Sequence, residues 1–232
     1  CPQATERQQE SMIIPLVRFI EGGTLRQDIW KLILSMSRLP SILGLDLKAM
    51  VAANHVARER LLSLIERYGL ETIQAVMEEM IALSERRLRA RLRELPDGVF
   101  RAVDYIDHDG HENRLYRFSV ELTKEDDRLT FDYSGCPPQA PGFINCTESG
   151  LNGGVFTALL PILAYDIPWN EGLKRPLSIV APPGTICNAT PPAPTGSATI
   201  AAAWVVANVA VRALSLLMGC SDRYRRESQA CS

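Results

Sequence analysis

The hydrophobic period of the chain changes at Pro96-Asp97-Gly98, and that change restricts the architectures open to it. Before this turn, apolar residues recur every three or four positions, as on one face of a helix; after it they alternate, as on one face of a strand. An all-α bundle and an all-β sandwich are both excluded. The pattern predicts an α+β chain, with a mainly helical region at 1–96 and an α+β region at 97–232 that carries polar loops and an Ala-rich C-terminal helix.

In the helical region, Thr24-x-x-Gln27 has the form of a capping box that would start a helix after the Gly22-Gly23 turn. Leu25, Ile29, Leu32, Ile33 and Met36 give that helix one apolar face, and Pro40 is expected to stop it. A second helix is expected from Asp46 to Tyr68, with Leu47, Met50, Val51, Leu61, Leu64 and Tyr68 in its stripe and Gly69 as its C-terminal stop. Asn54 interrupts the stripe, which suits an amide at the edge of a buried face bonded to a carbonyl. A third helix, about Glu71 to Arg93, ends in Arg86, Arg87, Arg89, Arg91 and Arg93, the cluster expected of a solvated C-terminal turn.

Past Gly98, Val99 to Ile106, Leu115 to Leu122 and Leu129 to Tyr133 alternate in polarity and are joined by short polar turns. They predict an antiparallel β-meander with one buried face, packed with helices. A helix about Gly153 to Tyr165, a strand Leu177 to Val180, a Pro-rich loop and an Ala-rich helix about Thr199 to Leu217 complete the reading. Ala198 to Met218 is the one membrane candidate, but it carries Asn208 and Arg212, and a central Arg alone costs about 2.5–3.5 kcal/mol on insertion. It therefore reads as a buried helix.

The 232 residues carry 25 Lys and Arg against 27 Asp and Glu, so nothing favours nucleic acid or an anionic membrane as partner. Six cysteines stand at irregular spacings with no Cys-x-x-Cys pair, which predicts a reduced, cytoplasmic protein. The first apolar stretch, Met12 to Leu16, is too short for a signal peptide and is broken by Pro15. The chain begins with Cys1 and ends in a polar, Arg-rich tail, which predicts a piece of a longer polypeptide. The phosphate-binding Gly-x-x-x-x-Gly-Lys-Ser/Thr, the nucleophile elbow Gly-x-Ser-x-Gly and the zinc motif His-Glu-x-x-His are absent. His108 and His111 with Asp107 and Asp109 superficially resemble a metal cluster, yet Asp and Gly at these places are what a turn requires.

Chemistry concentrates in the loops. Asp132, Ser134, Gln139 and Asn145 follow a strand and fall where a ligand at the sheet edge could reach them, although Asx and Ser turns at a strand exit would use the same residues. Asn170 and Gly172 form a second polar loop. Asn152-Gly153-Gly154 opens a helix whose free N–H groups could take a phosphate or carboxylate, or simply turn the chain. The proline-rich stretch from Ala181 to Ser197 suggests a stiffened contact surface.

The ordered set Phe131-Asp132-x-Ser134-Gly135-x-x-Pro138-Gln139, Gly142-x-x-Asn145, Ile167-Pro168-x-Asn170-x-Gly172 and Ala181-Pro182-x-Gly184-x-x-x-Asn188 resembles the hydantoinase B/oxoprolinase family. Glu21-Gly22-Gly23, Ala52-Ala53-Asn54, Glu66-Arg67-Tyr68-Gly69 and Leu95-Pro96-Asp97-Gly98 agree in the same order, so the likeness runs from about Pro15 to Leu217. Cys136, where Ser or Thr is expected, and Asn152-Gly153-Gly154 depart from the family pattern. The resemblance implies an ATP-dependent hydrolase of cyclic amides such as 5-oxoproline or hydantoins, working with a hydantoinase A type subunit that binds ATP. As alternatives behind that reading it admits a component of an acetone or acetophenone type carboxylase, or a non-catalytic docking region for the ATP-binding subunit. Within it Asp132 and Ser134 are expected to be catalytic and Gln139, Asn145 and Asn170 to bind substrate. The family carries a His- and Asp-containing metal segment ahead of the matching region. No metal ligand is therefore expected here, the divalent ion is expected from that segment, and the chain by itself is expected to be inactive.

Overall fold

The structure, a computed structural model, describes residues 3–225. Cys1, Cys231 and the end of the polar tail lie outside the described residues. The chain forms two compact units, one of Met12–Glu78 and one of the residues up to Ser11 together with those from Glu79 onward. The change of period at Pro96 thus marks where strands begin, whereas the last turns of the third helix already belong with the sheet.

In the Met12–Glu78 unit, a two-residue hairpin of β1 (Ile20–Glu21) and β2 (Thr24–Leu25) turns through Gly22 and Gly23. It is followed by α1 (Gln27–Ser35) and α2 (Pro40–Tyr68). Thr24 is a strand residue, so the capping box does not form, and α1 starts after Arg26 without a side-chain cap. Pro40 opens α2 instead of only closing α1, because a proline at the first helical position loses no hydrogen bond. Gly69, at φ 84°, ends α2 where the chain needs a left-handed residue, and its N–H still closes on the Ile65 carbonyl. The third helix, α3 (Leu70–Arg93), then crosses into the other unit.

The larger unit is built on a four-stranded sheet, in the order β3 (Gly98–His108), β4 (Asn113–Glu125), β5 (Arg128–Asp132) and β6 (Leu177–Val180). The first three are the antiparallel meander that alternation predicts. Tyr116, Phe118, Val120 and Leu122 of β4 point to one face and are buried there with Leu129 and Phe131 of β5. Arg117, Ser119 and Glu121 alternate to the other face. β6 joins parallel to β5, a pairing that requires a crossover, and α4 (Glu148–Leu163) supplies it. α5 (Ala202–Gly219) packs on α4, β3 and β4. Among the described residues α5 is the one helix long and apolar enough to cross a membrane; here its Val206, Val209, Ala210, Ala213, Leu214 and Leu217 are core. Arg212 sits at its rim, donating to the Val103 carbonyl and pairing with Asp104.

Two local expectations change. Asn152-Gly153-Gly154 lies inside α4, which starts at Glu148, and Gly154 is there because α5 comes too close for a side chain. A Cβ at Gly154 would stand 2.7 Å from the Ala203 carbonyl oxygen and 2.8 Å from a Val206 methyl. The arginines ending α3 are only partly a solvated face. Arg86 and Arg87 are exposed, but Arg91 makes a bidentate pair with Asp166 at 2.6 and 2.9 Å and donates to the Leu163 carbonyl. Arg89 and Arg93 converge on Asp127 at the β4–β5 turn. The Arg91 hydrogen bonds hold the Asp166 carboxyl below its ordinary range.

Gly154→Ala is expected to force α4 off α5 and to cost about 1–3 kcal/mol, as overpacking does. Gly153→Ala, where a Cβ meets nothing within 4 Å, is expected to gain up to about 1 kcal/mol from helix propensity. Urea denaturation of the two variants reads the contrast.

Candidate functional site

The parallel pairing of β6 brings two long loops together. Tyr133, just past β5, donates its N–H to the Val180 carbonyl, so the chain leaves β5 and β6 side by side. From there the segment 137–146 and the segment 181–190 are laced together by backbone. Gln139 N–H bonds the Gly184 carbonyl, Ile186 N–H the Pro137 carbonyl, Cys146 N–H the Ile186 carbonyl and Ala189 N–H the Cys146 carbonyl. Asn188 donates its side-chain amide to the Ala181 carbonyl at 2.8 Å. The proline-rich stretch is therefore a fixed wall, stitched to the loop that follows Asp132.

Asn145 locks this wall. It is fully buried; its amide nitrogen donates to the Ala140, Gly142 and Pro194 carbonyls, each at 2.9 Å, and its oxygen accepts the Ala140 N–H at 2.7 Å. Every polar atom of the side chain is used within the chain. Gln139 likewise gives its oxygen to Thr190, whose N–H lies 2.9 Å away. The polar hollow beside them, about 450 Å³, is lined by Arg7, Glu10, Thr147, Thr190 and Thr195, and Glu10 accepts the N–H groups of Thr195 and Gly196. Asn170 stands apart, bonded to Ser84 and the Met80 carbonyl of α3 while accepting Gly172 N–H. Gly172 is required there, since a Cβ would come within 2.0 Å of the Ile81 carbonyl oxygen.

Asp132 and Ser134 differ from these three. Asp132 belongs to the sheet face opposite the core, in a row with Arg101 of β3 and Glu121 of β4. Arg101 Nε donates to Glu121 at 2.7 Å. Asp132 accepts Ser134 N–H at 2.7 Å on one carboxylate oxygen, an Asx turn at the strand exit, and its other oxygen has no partner among the described residues. The shallow cavity there, about 260 Å³, is lined by Asp132, Arg101, Arg117, Ser119, Glu121 and Gly135. The five residues singled out from sequence thus fall into three places: Asp132 with Ser134, Gln139 with Asn145, and Asn170 alone.

A larger hollow lies elsewhere, about 560 Å³ between α4 and β6, with Phe156, Leu160, Trp169, Leu177 and Ile179 in its apolar lining and Ser149, Asn152, Thr157 and Lys174 among its polar groups. Phe156 and Trp169 meet edge to face, with ring centroids 5.1 Å apart. Lys174 is held by Glu171 at 2.9 Å. Sequence reading missed this lining because a helix begun at Gly153 leaves Ser149 and Asn152 in a loop. A helix started at Glu148 puts Asn152, Phe156 and Leu160 on one face at i, i+4, i+8.

Asp109 explains the histidine-containing turn. Its carboxylate accepts the N–H groups of His111 and Glu112 and the Tyr116 hydroxyl, and it is buried. Burial pushes its pKa up, but these three donors outweigh burial and hold it below the ordinary value. Among the described residues no group of three or more His, Cys, Asp or Glu could hold a metal ion. Cys136, Cys146 and Cys187 are buried free thiols, and burial raises Cys146 to about 12, so it is no nucleophile at neutral pH.

A mixed sheet with one parallel strand, two helices over its core face and laced polar loops at the strand exits is the fold found in ATP-dependent lactamase and carboxylase assemblies. The crystal structure of the ATP-dependent caprolactamase from Pseudomonas jessenii superposes with a TM-score of 0.84 at 29% identity, over 93% of this chain and 37% of that one. A nucleotide-free acetone carboxylase gives 0.80 at 17% identity, over 96% and 30%, and shows the fold alone. The chain belongs to the hydantoinase B/oxoprolinase family, whose profile matches residues 1–232. Its sequence is 32% identical to the beta component of caprolactamase from Pseudomonas jessenii, over 83% of this chain and 33% of that protein. It is 30% identical to a protein named as the B component of a D-/L-hydantoinase in Pseudomonas sp. (strain NS671), over 83% and 34%. The chain thus spans about a third of the length of these relatives.

Asn145→Ala leaves a buried N–H and three carbonyls short of a partner, and is expected to cost at least about 2 kcal/mol in chemical denaturation. The stability advantage of wild type over Asp109→Asn is expected to persist above the unfolded carboxylate pKa of about 3.9 and to vanish as pH falls through the lower folded value. Urea midpoints measured from neutral pH downward check this.

Proposed function

We propose that the chain is the region of a B-type component that handles the activated substrate in an ATP-dependent hydrolase of cyclic amides, with 5-oxoproline or a hydantoin as substrate class and a hydantoinase A type subunit as partner. The observation that carries the reading is the likeness to a caprolactamase in both sequence and structure. Amide resonance makes a lactam carbonyl a poor electrophile; phosphorylation of its oxygen by the partner would relieve that and ready the ring carbon for water. Asp132 is suited to take the proton of the attacking water, because one carboxylate oxygen is fixed by Ser134 N–H and the other is open. Ser134, exposed beside it, offers a hydroxyl donor to the ring nitrogen, which gains the electron pair as water adds to the carbon and the phosphorylated oxygen then leaves as phosphate.

Asn145 and Asn170 enter this reading as residues that hold the surrounding loops, since both ends of their amides are already bonded within the chain, whereas Gln139 gives only its oxygen to Thr190 and keeps its amide N–H groups for substrate. Nothing among the described residues fits a divalent ion, so no step is routed through a metal here. We place the protein in the cytoplasm, in keeping with its buried free thiols.

In the complete complex supplied with ATP, Asp132→Asn is expected to lower kcat for ring opening by about 100-fold or more, as loss of a general base does, with KM little changed. Unchanged turnover removes Asp132 from the reaction. Assaying 5-oxoproline, hydantoin and caprolactam beside acetone and acetophenone tests the amide reading, and ATP-coupled consumption of only the ketones would replace it with the carboxylase.

A further inference from the structure

Cys136 and Cys187 come from the two loops that are laced edge to edge. Ile186 N–H bonds the Pro137 carbonyl at 3.0 Å, and Pro138 pairs antiparallel with Thr185. In that register the next residues outward are Cys136 and Cys187, which brings their side chains together. The two thiols hydrogen-bond each other. Both are free and buried, Cys136 at 7% exposure and Cys187 at 0%. The third thiol nearby, Cys146, is engaged with the Cys187 carbonyl at 3.4 Å.

Their surroundings make the two sulfurs unequal. The hydrogen bond from Cys136, helped by the Thr185 hydroxyl 3.6 Å away, holds the Cys187 thiol below its ordinary pKa against the effect of burial. The same thiol–thiol bond, with burial, pushes Cys136 up. Cys187 is thus the sulfur with thiolate character, and Cys136 is the thiol beside it. The shallow cavity at Asp132 leads to the pair. Its lining includes Ser119 and Gly135, and Cys136 Sγ lies 3.5 Å from both the N–H and the carbonyl of Ser119. Two thiols in contact, one of them lowered, beside an open cavity have what a reversible, redox-sensing disulfide needs.

We infer that Cys136 and Cys187 are a redox pair, which hydrogen peroxide closes to a disulfide and which, when closed, loosens the turn that orients Asp132. The Cys187 thiolate attacks one peroxide oxygen, the O–O bond breaks and hydroxide leaves, so that Cys187 becomes a sulfenic acid. The Cys136 sulfur then attacks the Cys187 sulfur, the S–O bond breaks, and water leaves with the Cys136 proton. The two sulfurs lose two electrons, the peroxide gains them, and the hydroxide takes up the proton that Cys187 gave up on ionising. A covalent S–S bond is shorter than the contact it replaces, so one sulfur must travel. Cys187 is enclosed in a turn closed by Asn188 N–H on the Thr185 carbonyl at 3.0 Å, so Cys136 moves, away from Ser119. Cys136 itself closes the turn that begins at Tyr133, its N–H on the Tyr133 carbonyl at 2.9 Å. That turn contains Ser134, whose N–H fixes Asp132. Any effect on turnover rests on the role given to Asp132 above; the disulfide and the loosened turn do not.

The test treats the complete complex with hydrogen peroxide and then with dithiothreitol. Peptide mass mapping is expected to find Cys136 joined to Cys187, with a loss of about 2 Da that dithiothreitol reverses. Hydrogen exchange at the Ser134 amide is expected to be at least about tenfold faster in the linked form, and ring opening at least about tenfold slower. Cys136→Ser keeps a hydroxyl donor beside Ser119 and is expected to fold and turn over as wild type does, and to keep its turnover under peroxide. Absence of a link, a link to Cys146 in its place, or a link that leaves exchange at Ser134 unchanged overturns the proposal. A Cys136–Cys187 link with faster exchange but unchanged ring opening upholds the redox pair and removes Asp132 from the reaction instead.

Discussion

Asn145 carries the constraint on which the polar half of the molecule depends. Loops of this length at a sheet edge contain many backbone N–H and C=O groups, and each one buried without a partner costs about as much as a lost hydrogen bond. One side chain with two donors and an acceptor meets four such groups from three points of the chain, Ala140, Gly142 and Pro194. The lacing of 137–146 to 181–190 follows from that closure. The lacing in turn needs β6 beside β5, because only then do the two loops start at the same edge. Sheet topology, loop rigidity and the exposure of Asp132 are consequences of one another.

This explains why residues of similar chemistry play different parts. Asn145 and Asn170 have amides that donate and accept at once, which suits them to closing loops, and Gln139 ties Thr190 through its oxygen alone. Asp132 can only accept, its single partner is the N–H of Ser134, and it stands on the polar sheet face. A carboxylate so placed keeps an oxygen for chemistry while its orientation is fixed, the combination a proton acceptor needs.

Much of this was legible in the sequence where local physics decides. The switch from a period of 3.6 to one of 2 places α3 and β3, Gly69 ends α2, and Leu177 to Val180 is β6 residue for residue. Sequence failed where distant partners decide. Thr24 has the chemistry of a cap, but the Gly22-Gly23 hairpin claims it for a strand. Arg89 and Arg91 look solvated until Asp127 and Asp166, distant in the chain, come to meet them. Gly154 looks like a turn until α5 arrives against it. Of the candidate site, the polar loops were visible, but their division into closing residues and an open carboxylate was not, because an amide that binds substrate and one that binds backbone have the same side chain.

Native-state hydrogen exchange reads the central claim directly, that these loops form a fixed wall closed by Asn145. The amides of Ala140, Cys146, Ile186 and Ala189 are predicted to exchange as slowly as those of Phe131 and Leu122 in the sheet, through opening of the whole unit. Exchange of those four at the rate of free surface loops, with the sheet still protected, would contradict it.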